Sequence, residues 1–112
     1  MKIKTIKKVL ISIGFPDNAD GTEYAAYTIK AINECHGKIV MNKIYEKVAK
    51  KFGVPWERVR RSIQHYLDKC TKVCKEKDAL AKYVGNTYEG AKKKLIHIQT
   101  VLREEENEDS KN

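Results

Sequence analysis

The sequence predicts an all-α domain, a bundle of about six helices that contains a helix-turn-helix. Apolar residues recur three or four positions apart in successive segments, which is the period of an amphipathic helix. No segment sustains the alternation of apolar and polar residues that marks a half-buried strand. Glycine and proline separate the periodic segments, so these are distinct helices. A chain of 112 residues has the length of one domain with a single core.

The first two helices are bounded by turn-forming residues. The first is predicted over residues 2–13, and a turn at 14–18 ends it, because Gly14 accepts positive φ and proline disfavours helix at the residue before it. The second is predicted from Asp20 to about Cys35, since Asp20 and Glu23 have the spacing of a capping box. The expected inward residues are Ile3, Ile6, Val9, Leu10 and Ile13 in the first helix, and Tyr24, Tyr27 or Thr28, Ala31 and Cys35 in the second.

The third and fourth helices are joined by a very short turn. Asn42 is a favourable N-cap for the third helix, and Gly53 ends it. Pro55 fits the first turn of the fourth helix, which is expected to continue to near Lys75. So short a connection is typical of a helix-turn-helix, here at about residues 42–75, although many helical hairpins share it. The apolar stripe of the fourth helix comprises Val59, Ile63, Tyr66, Leu67, Cys70 and Cys74.

Two more helices and an acidic segment follow. A fifth helix is predicted over residues 76–84, closed by Gly85-Asn86. The sixth has four apolar residues aligned on one side, namely Ala91, Leu95, Ile98 and Leu102. Residues 104–112 are acidic, contain no apolar residue and are expected to form a disordered tail. The helical domain is therefore expected to span residues 1–103.

The positive charge of the chain is concentrated in its middle. The formal net charge is +8, and residues 38–75, with eleven basic and three acidic residues, account for all of it. So local an excess favours a polyanionic partner such as nucleic acid. The alternative is a solvated lysine-rich surface, which is common in small basic proteins.

The side of the fourth helix opposite its apolar stripe carries polar residues. At 100° per residue these are Glu57, Arg58, Arg61, Gln64 and His65. Arginine and glutamine match the hydrogen-bonding edges of guanine and adenine, and the N-terminal half of such a helix enters the major groove. Base contacts are therefore predicted for Arg58, Arg61, Gln64 and His65. Phosphate or flanking contacts are predicted for Lys43, Lys47, Lys50, Lys51, Arg60 and Lys72. The alternative is that all of these are solvated positions on an amphipathic helix.

Several sequence blocks resemble a known family. They are Ile13-Gly14-Phe15-Pro16, then Gly21 and Tyr24 with Ile29-Lys30-Ala31-Ile32, then Ile44-Tyr45 through Phe52, and Arg58 through His65. Over about residues 6–105 the chain is similar to the C-terminal DNA-binding effector domain of the sporulation-initiation response regulator of endospore-forming bacteria, the stage zero sporulation protein A family. Weaker similarity continues at Tyr83-Val84-Gly85-Asn86-Thr87.

The resemblance implies a six-helix bundle that binds short promoter boxes, often as tandem copies on one duplex or as a homodimer, and that activates or represses transcription. It assigns Arg58 and Arg61 to the recognition helix and gives His65 a matching position. The chain departs from the family where Arg60 replaces an acidic residue and Gln64 replaces an arginine. The family is normally preceded by a receiver domain, and we expect this chain to be a free-standing relative without one.

Other chemistry is not indicated. The sequence has no Ser-His-Asp arrangement, no glycine-rich phosphate loop and no carboxylate pair with a clear pocket, so enzymatic activity, a cofactor and a small-molecule substrate are not expected. Cys70, Cys74 and His65 lie partly on the apolar stripe, where core packing is favoured over a metal site. No apolar run is long enough to cross a bilayer and no signal peptide is present. We expect no membrane partner and a location in the bacterial cytoplasm, associated with the nucleoid.

Two functions are open at this point. The favoured one is a sequence-specific transcription regulator that binds double-stranded DNA through its major groove with the helix starting at Pro55. The alternative is a protein-interaction module that modulates or sequesters a full-length sporulation-type response regulator through its last helix. RNA binding is disfavoured, because it usually needs exposed aromatic residues and the tyrosines lie mostly on inward faces.

Overall fold

Helices make up the framework of the domain. A computed structural model describes residues 1–73, 77–84 and 90–111, and none of these residues lies in a strand. The helices are α1 (Ile3–Ser12), α2 (Asp20–Glu34), α3 (Met41–Phe52), α4 (Trp56–Val73), α5 (Lys77–Tyr83) and α6 (Ala91–Lys111). The all-α prediction is confirmed. The predicted helix ends near Lys75 and at Gly85-Asn86, together with Cys74, lie outside the described residues.

Helix α2 lies at the centre of the bundle and packs against α1, α3, α4 and α6. Burying each large aliphatic side chain around it contributes about 1.5–3 kcal/mol. Many of the positions that the helical period predicted to face inward are 0–2% exposed, among them Ile6, Leu10, Val59, Ile63, Leu67, Leu95, Ile98 and Leu102. Others that were also predicted to face inward are half-buried, namely Ile3, Cys35, Tyr66 and Ala91. In α2 itself Tyr24 and Thr28 are buried, whereas Tyr27 and Ala31 are half-buried because they line a surface groove.

The predicted capping box at the start of α2 is wrong. Asp20 is the first helical residue, and the N-cap is Ala19, which caps through its backbone alone. The carbonyl of Ala19 accepts hydrogen bonds from the amides of Thr22 and Glu23, at 3.1 and 3.4 Å. The hydroxyl of Thr22 donates to the carbonyl of Pro16 at 2.5 Å and ties the preceding turn to the helix. The Asp20 carboxylate is thereby left available for another partner.

The predicted N-cap of α3 is also wrong. Asn42 is the second residue of the helix, and Val40 occupies the N-cap position. Its carbonyl accepts from the amides of Lys43 and Ile44, at 3.1 and 3.2 Å. An extended residue at this position can begin a helix through its carbonyl without a side-chain cap, so the propensity of asparagine did not decide the boundary.

The turn between α3 and α4 has the predicted short length. Gly53 adopts the left-handed conformation at φ 67°, and the amide of Val54 donates to the carbonyl of Ala49 at 3.1 Å, which closes the end of α3. Pro55 lies one residue before α4 rather than within it, and its carbonyl accepts from the amide of Arg58 at 3.1 Å. Three residues, 53–55, thus connect the two helices.

Helix α6 continues to Lys111, where a disordered tail was expected from residue 104 onward. Two of the tail's acidic residues are held by contacts with the rest of the domain. The carboxylate of Glu105 accepts from the Tyr83 hydroxyl at 2.9 Å and pairs with Lys82 at 2.7 Å. Glu106 pairs with the amino group of Met1 at 3.5 Å. These contacts therefore hold the C-terminal part of α6 against the rest of the domain. Amino-acid composition alone does not indicate such contacts. In the part of the chain that the structure describes, no helix is both long and apolar enough for a bilayer crossing.

Candidate nucleic-acid interface

Helix α4 has one buried and one exposed side. Its buried side consists of Val59, Ile63, Leu67 and Cys70, which are 0–1% exposed. On the other side Arg58, Arg61, Gln64 and His65 are all exposed, and we call these four residues the α4 face. The structure therefore brings the four predicted base-contacting residues together on one solvent-facing surface.

Arg58 at the edge of the α4 face has a partner on another helix. Its guanidinium lies 3.8 Å from the carboxylate of Asp20, the first residue of α2. The two side chains are 58% and 77% exposed, so this ion pair contributes little to stability. Its effect is local, because it draws Arg58 toward the start of α2 and reduces the positive charge there.

Arg60 lies on the side of α4 that faces α3. Its guanidinium is 5.9 Å from the ring centroid of Trp56, and the residue is half-buried. Burial raises the pKa of Tyr45 on α3, and the charge of Arg60 partly opposes that shift. Arg60 thus sits at the seam between the two helices of the helix-turn-helix, on the flank of the α4 face rather than at its centre.

A glycine allows the start of α2 to approach α4 closely. A Cβ added at Gly21 would lie under 3.0 Å from the ring of Tyr66 and 3.5 Å from Cβ of Ser62. The Tyr66 ring also packs against Phe15 at 5.7 Å and against His65 at 5.1 Å between ring centroids. Through these contacts the turn before α2 and the start of α2 pack against Tyr66 of α4, whose ring in turn packs against His65.

The lysines of α3 are divided between two surfaces. Lys43, Lys47 and Lys51 line two adjoining grooves between α2 and α3, and the ammonium of Lys51 is 4.8 Å from the ring centroid of Tyr27. Lys50 is exposed and lines neither groove. Lys72 is exposed on α4. The predicted phosphate-contacting residues therefore do not form one continuous surface.

Comparison with protein-family models assigns the sequence to a family. Residues 6–102 match the family described as sporulation initiation factor Spo0A C terminal. The chain belongs to this family. It is a family of DNA-binding effector domains and not a known catalytic family, so DNA binding is the general function of the chain. Among curated proteins and among solved structures, no match to the chain is found.

The family assignment confirms the resemblance that the sequence blocks indicated, over nearly the same residues. All four blocks fall within the matched segment, including the stretch from Arg58 to His65 on α4 of this Spo0A C-terminal domain. The individual roles of the α4 face and of the lysines remain predictions. Within the described residues, no three metal-ligating side chains come together.

Three features of this Spo0A C-terminal domain were missed from the sequence. Asp20 was assigned to a helix cap, and its pairing with Arg58 depends on helix packing. Gly21 was noticed as part of a motif, while its closeness to Tyr66 requires the position of α4. The grooves between α2 and α3 were missed as well, although the spacing of Lys43, Lys47 and Lys51 by four residues was a signal that they share one side of a helix.

Proposed function

We propose that the chain is a sequence-specific transcription regulator that places α4 in the major groove of duplex DNA. The single observation that supports this most is the α4 face, which lies opposite the fully buried stripe and is packed from behind by α2 and α3. In a helix-turn-helix the N-terminal part of the second helix contacts base edges. Arg58 and Arg61 lie in the first two turns of α4, where that contact occurs.

Arg61 is the central base-contacting residue in this proposal. It is exposed, and among the described residues it has no ion pair that would compete with a base. A guanidinium can donate two hydrogen bonds to the O6 and N7 acceptors of guanine. Gln64 follows one turn later and matches adenine, while His65 can donate to a base or a phosphate. Arg58 contacts DNA from the edge of the face, next to Asp20.

Phosphate contacts in this proposal come from basic residues next to the α4 face. Arg60 lies at the seam with α3, Lys50 is exposed on α3, and Lys72 is exposed toward the end of α4. Contacts of this kind carry little sequence information, but they supply much of the affinity and make it dependent on salt. In this proposal the chain also binds as two tandem copies on one duplex, as the family resemblance implies, and is associated with the bacterial nucleoid.

The alternative interaction through the last helix is less well supported. The apolar residues that the sequence aligns on one side of α6, Leu95, Ile98 and Leu102, are 0–2% exposed because they form part of the core. A partner could reach them only if α6 left the bundle.

The deciding experiment is Arg61→Ala, with Arg103→Ala as the matched control because Arg103 is exposed on α6. The preferred duplex is first selected from a random library with the wild-type chain, and both variants are then titrated with that duplex and with random duplex. Loss of a bidentate arginine–guanine contact costs about 1–3 kcal/mol, or roughly 5- to 160-fold in affinity. We expect that loss for the preferred duplex with Arg61→Ala, and little change with random duplex or with Arg103→Ala.

If Arg61→Ala weakened binding to the preferred and the random duplex equally, Arg61 would attract DNA only through its charge and would make no base contact. A companion measurement uses salt, because log affinity falls with log salt by about 0.9 for each phosphate neutralised. Lys50→Ala is expected to lower this slope by about one such unit. Thermal melts establish that each variant is folded.

A further inference from the structure

We propose that the trough between α2 and α3 is a docking site for an acidic amphipathic helix of a partner protein. The trough consists of the two adjoining grooves, and its sides are defined by Lys43, Lys47 and Lys51 on α3 and by Lys30, Glu34 and Lys38 on and after α2. It uses none of the residues of the α4 face. The proposal therefore goes beyond DNA binding and can be tested separately from it.

The length of the trough sets the length of the partner. Ala31, Glu34 and Lys47 line both grooves, so the two are continuous. Along α3 the lining runs from Val40 to Lys51. At 1.5 Å per residue this is about 16 Å, or roughly three turns of a helix lying in the trough.

The charge of the trough requires an acidic partner. Five lysines and one glutamate are among its lining residues. Lys43, Lys47 and Lys51 are four residues apart, so their ammonium groups follow one another along the same side of α3. Carboxylates at the same spacing on a partner helix would face them in turn. Glu34 lies where the two grooves meet, and it disfavours a carboxylate at the middle of that helix.

The floor of the trough is apolar, which favours a protein helix over a phosphate backbone. Ala31 is half-buried, Ile44 and Val48 are buried beneath the lysines, and Val40 is 40% exposed at one end. The ring of Tyr27 forms the opposite end and lies beneath the ammonium of Lys51. Leucine or isoleucine side chains of an amphipathic helix would cover this floor, whereas a duplex presents phosphate and sugar to it.

The trough lies farther along α2 than the contact between α2 and the α4 face. Arg58 pairs with Asp20 at the first residue of α2, and Glu34 is the last residue of the same helix. The trough begins at Tyr27, so the rise of an α-helix puts it about 10 Å from Asp20 at its near end and about 21 Å from Asp20 at Glu34. A partner helix in the trough therefore occupies a surface that includes none of the residues of the α4 face.

The test uses a synthetic helical peptide of about three turns, with leucines on one side and glutamates on both flanks. A peptide of the same composition in scrambled order is the control ligand. Binding is measured by fluorescence anisotropy at about 0.15 M salt, where the Debye length is about 8 Å and distant charges are screened. We expect the amphipathic peptide to bind at least about tenfold tighter than the scrambled one, a preference that corresponds to about 1.4 kcal/mol.

Charge reversal on the chain is tested with two matched pairs. Lys47→Glu/Lys51→Glu alters the trough, and Lys4→Glu/Lys8→Glu makes the same change at the same spacing on exposed positions of α1. The first pair is expected to lower peptide affinity at least about tenfold more than the second. If thermal melts show that Lys47→Glu/Lys51→Glu unfolds the chain, Lys47→Gln/Lys51→Gln is used in its place. Ala31→Gln, which obstructs the floor without changing charge, should also weaken the peptide.

Three outcomes would overturn the proposal. Equal binding of both peptides would show attraction to charge alone, and an unchanged affinity in Ala31→Gln would show that the floor is not used. If random duplex displaced the peptide, and if Lys47→Glu/Lys51→Glu lost as much affinity for duplex as for the peptide, the trough would be a phosphate-binding site. Peptide binding that persists in Arg61→Ala would separate this proposal from the one for DNA.

Discussion

Replacing Gly21 by alanine tests how closely α2 and α4 must approach for the domain to be stable. The new Cβ would meet two ring carbons of Tyr66, Cδ2 and Cε2, at under 3.0 Å, where ordinary contacts are 3.4–4 Å. The ring would have to move by more than a few tenths of an ångström, and it is held on its other sides by Phe15 and His65. Overpacking of this kind costs about 1–3 kcal/mol.

A gain in helix propensity works in the opposite direction. Alanine is favoured over glycine in a helix interior by about 1 kcal/mol, and by less in the first turn, where Gly21 lies. We therefore expect Gly21→Ala to lower the free energy of unfolding by about 0.5–2 kcal/mol. For a domain near this size that is a fall in Tm of several degrees, since 1 kcal/mol corresponds to about 4–8 °C at 60–100 residues.

A double-mutant cycle isolates the clash from the propensity. In a Tyr66→Ala background the ring is absent, so Gly21→Ala should be neutral or stabilising there. The difference between the two backgrounds, measured by urea unfolding, is expected to be about 1–3 kcal/mol. A coupling free energy near zero would refute the close approach of α2 to α4 at this point.

Three further predictions concern other parts of the domain. Gly53→Ala should lower stability by about 1–2 kcal/mol in thermal melts, because φ is 67° although no atom lies within 4 Å of the new Cβ, and Gly53→Asn should cost less. Burial, followed by the hydrogen bond to Glu105, raises the pKa of Tyr83. The stability that the neutral Tyr83 hydroxyl contributes is therefore present below about pH 10 and is lost as pH rises through the raised pKa. Tyr83→Phe should therefore cost about 0.5–1 kcal/mol at neutral pH and flatten the alkaline fall in stability, as measured by urea unfolding across pH. Replacing the exposed Glu104 and Glu108 by glutamine should raise affinity for random duplex at low salt and not at high salt, and an unchanged low-salt affinity would show that the end of α6 lies away from DNA.

The parts of the fold that follow from local periodicity could be predicted from the sequence. Ile63 and Leu67 were placed in the core because a helix must bury its apolar stripe, and the exposure of Arg61 follows from the same geometry. The short turn at Gly53 was also predictable, because glycine is the residue that most readily ends a helix in the left-handed conformation.

The parts that depend on contacts between distant segments could not be predicted. Asp20 and Arg58 are 38 positions apart, and nothing in the composition around either residue indicates that they pair. Glu105 looked like one of several acidic residues in a tail, and its helix is anchored because Lys82 and Tyr83 on α5 lie beside it. The N-cap residues of α2 and α3 were misassigned by one and two positions, since backbone carbonyls rather than side chains cap these helices.

The position of α2 has a consequence for how DNA and a partner would influence each other. This helix is continuous over 15 residues and packs against four neighbours, so it has no hinge between the end near Arg58 and the end near Glu34. Allosteric coupling needs an element with two arrangements, and a rigid rod does not offer one. Electrostatic coupling across the about 10 to 21 Å of α2 that separates Asp20 from the trough is largely screened, since the Debye length in physiological salt is about 8 Å. A protein held in the trough would consequently be recruited to the promoter by this domain with little change in the domain's own affinity for DNA.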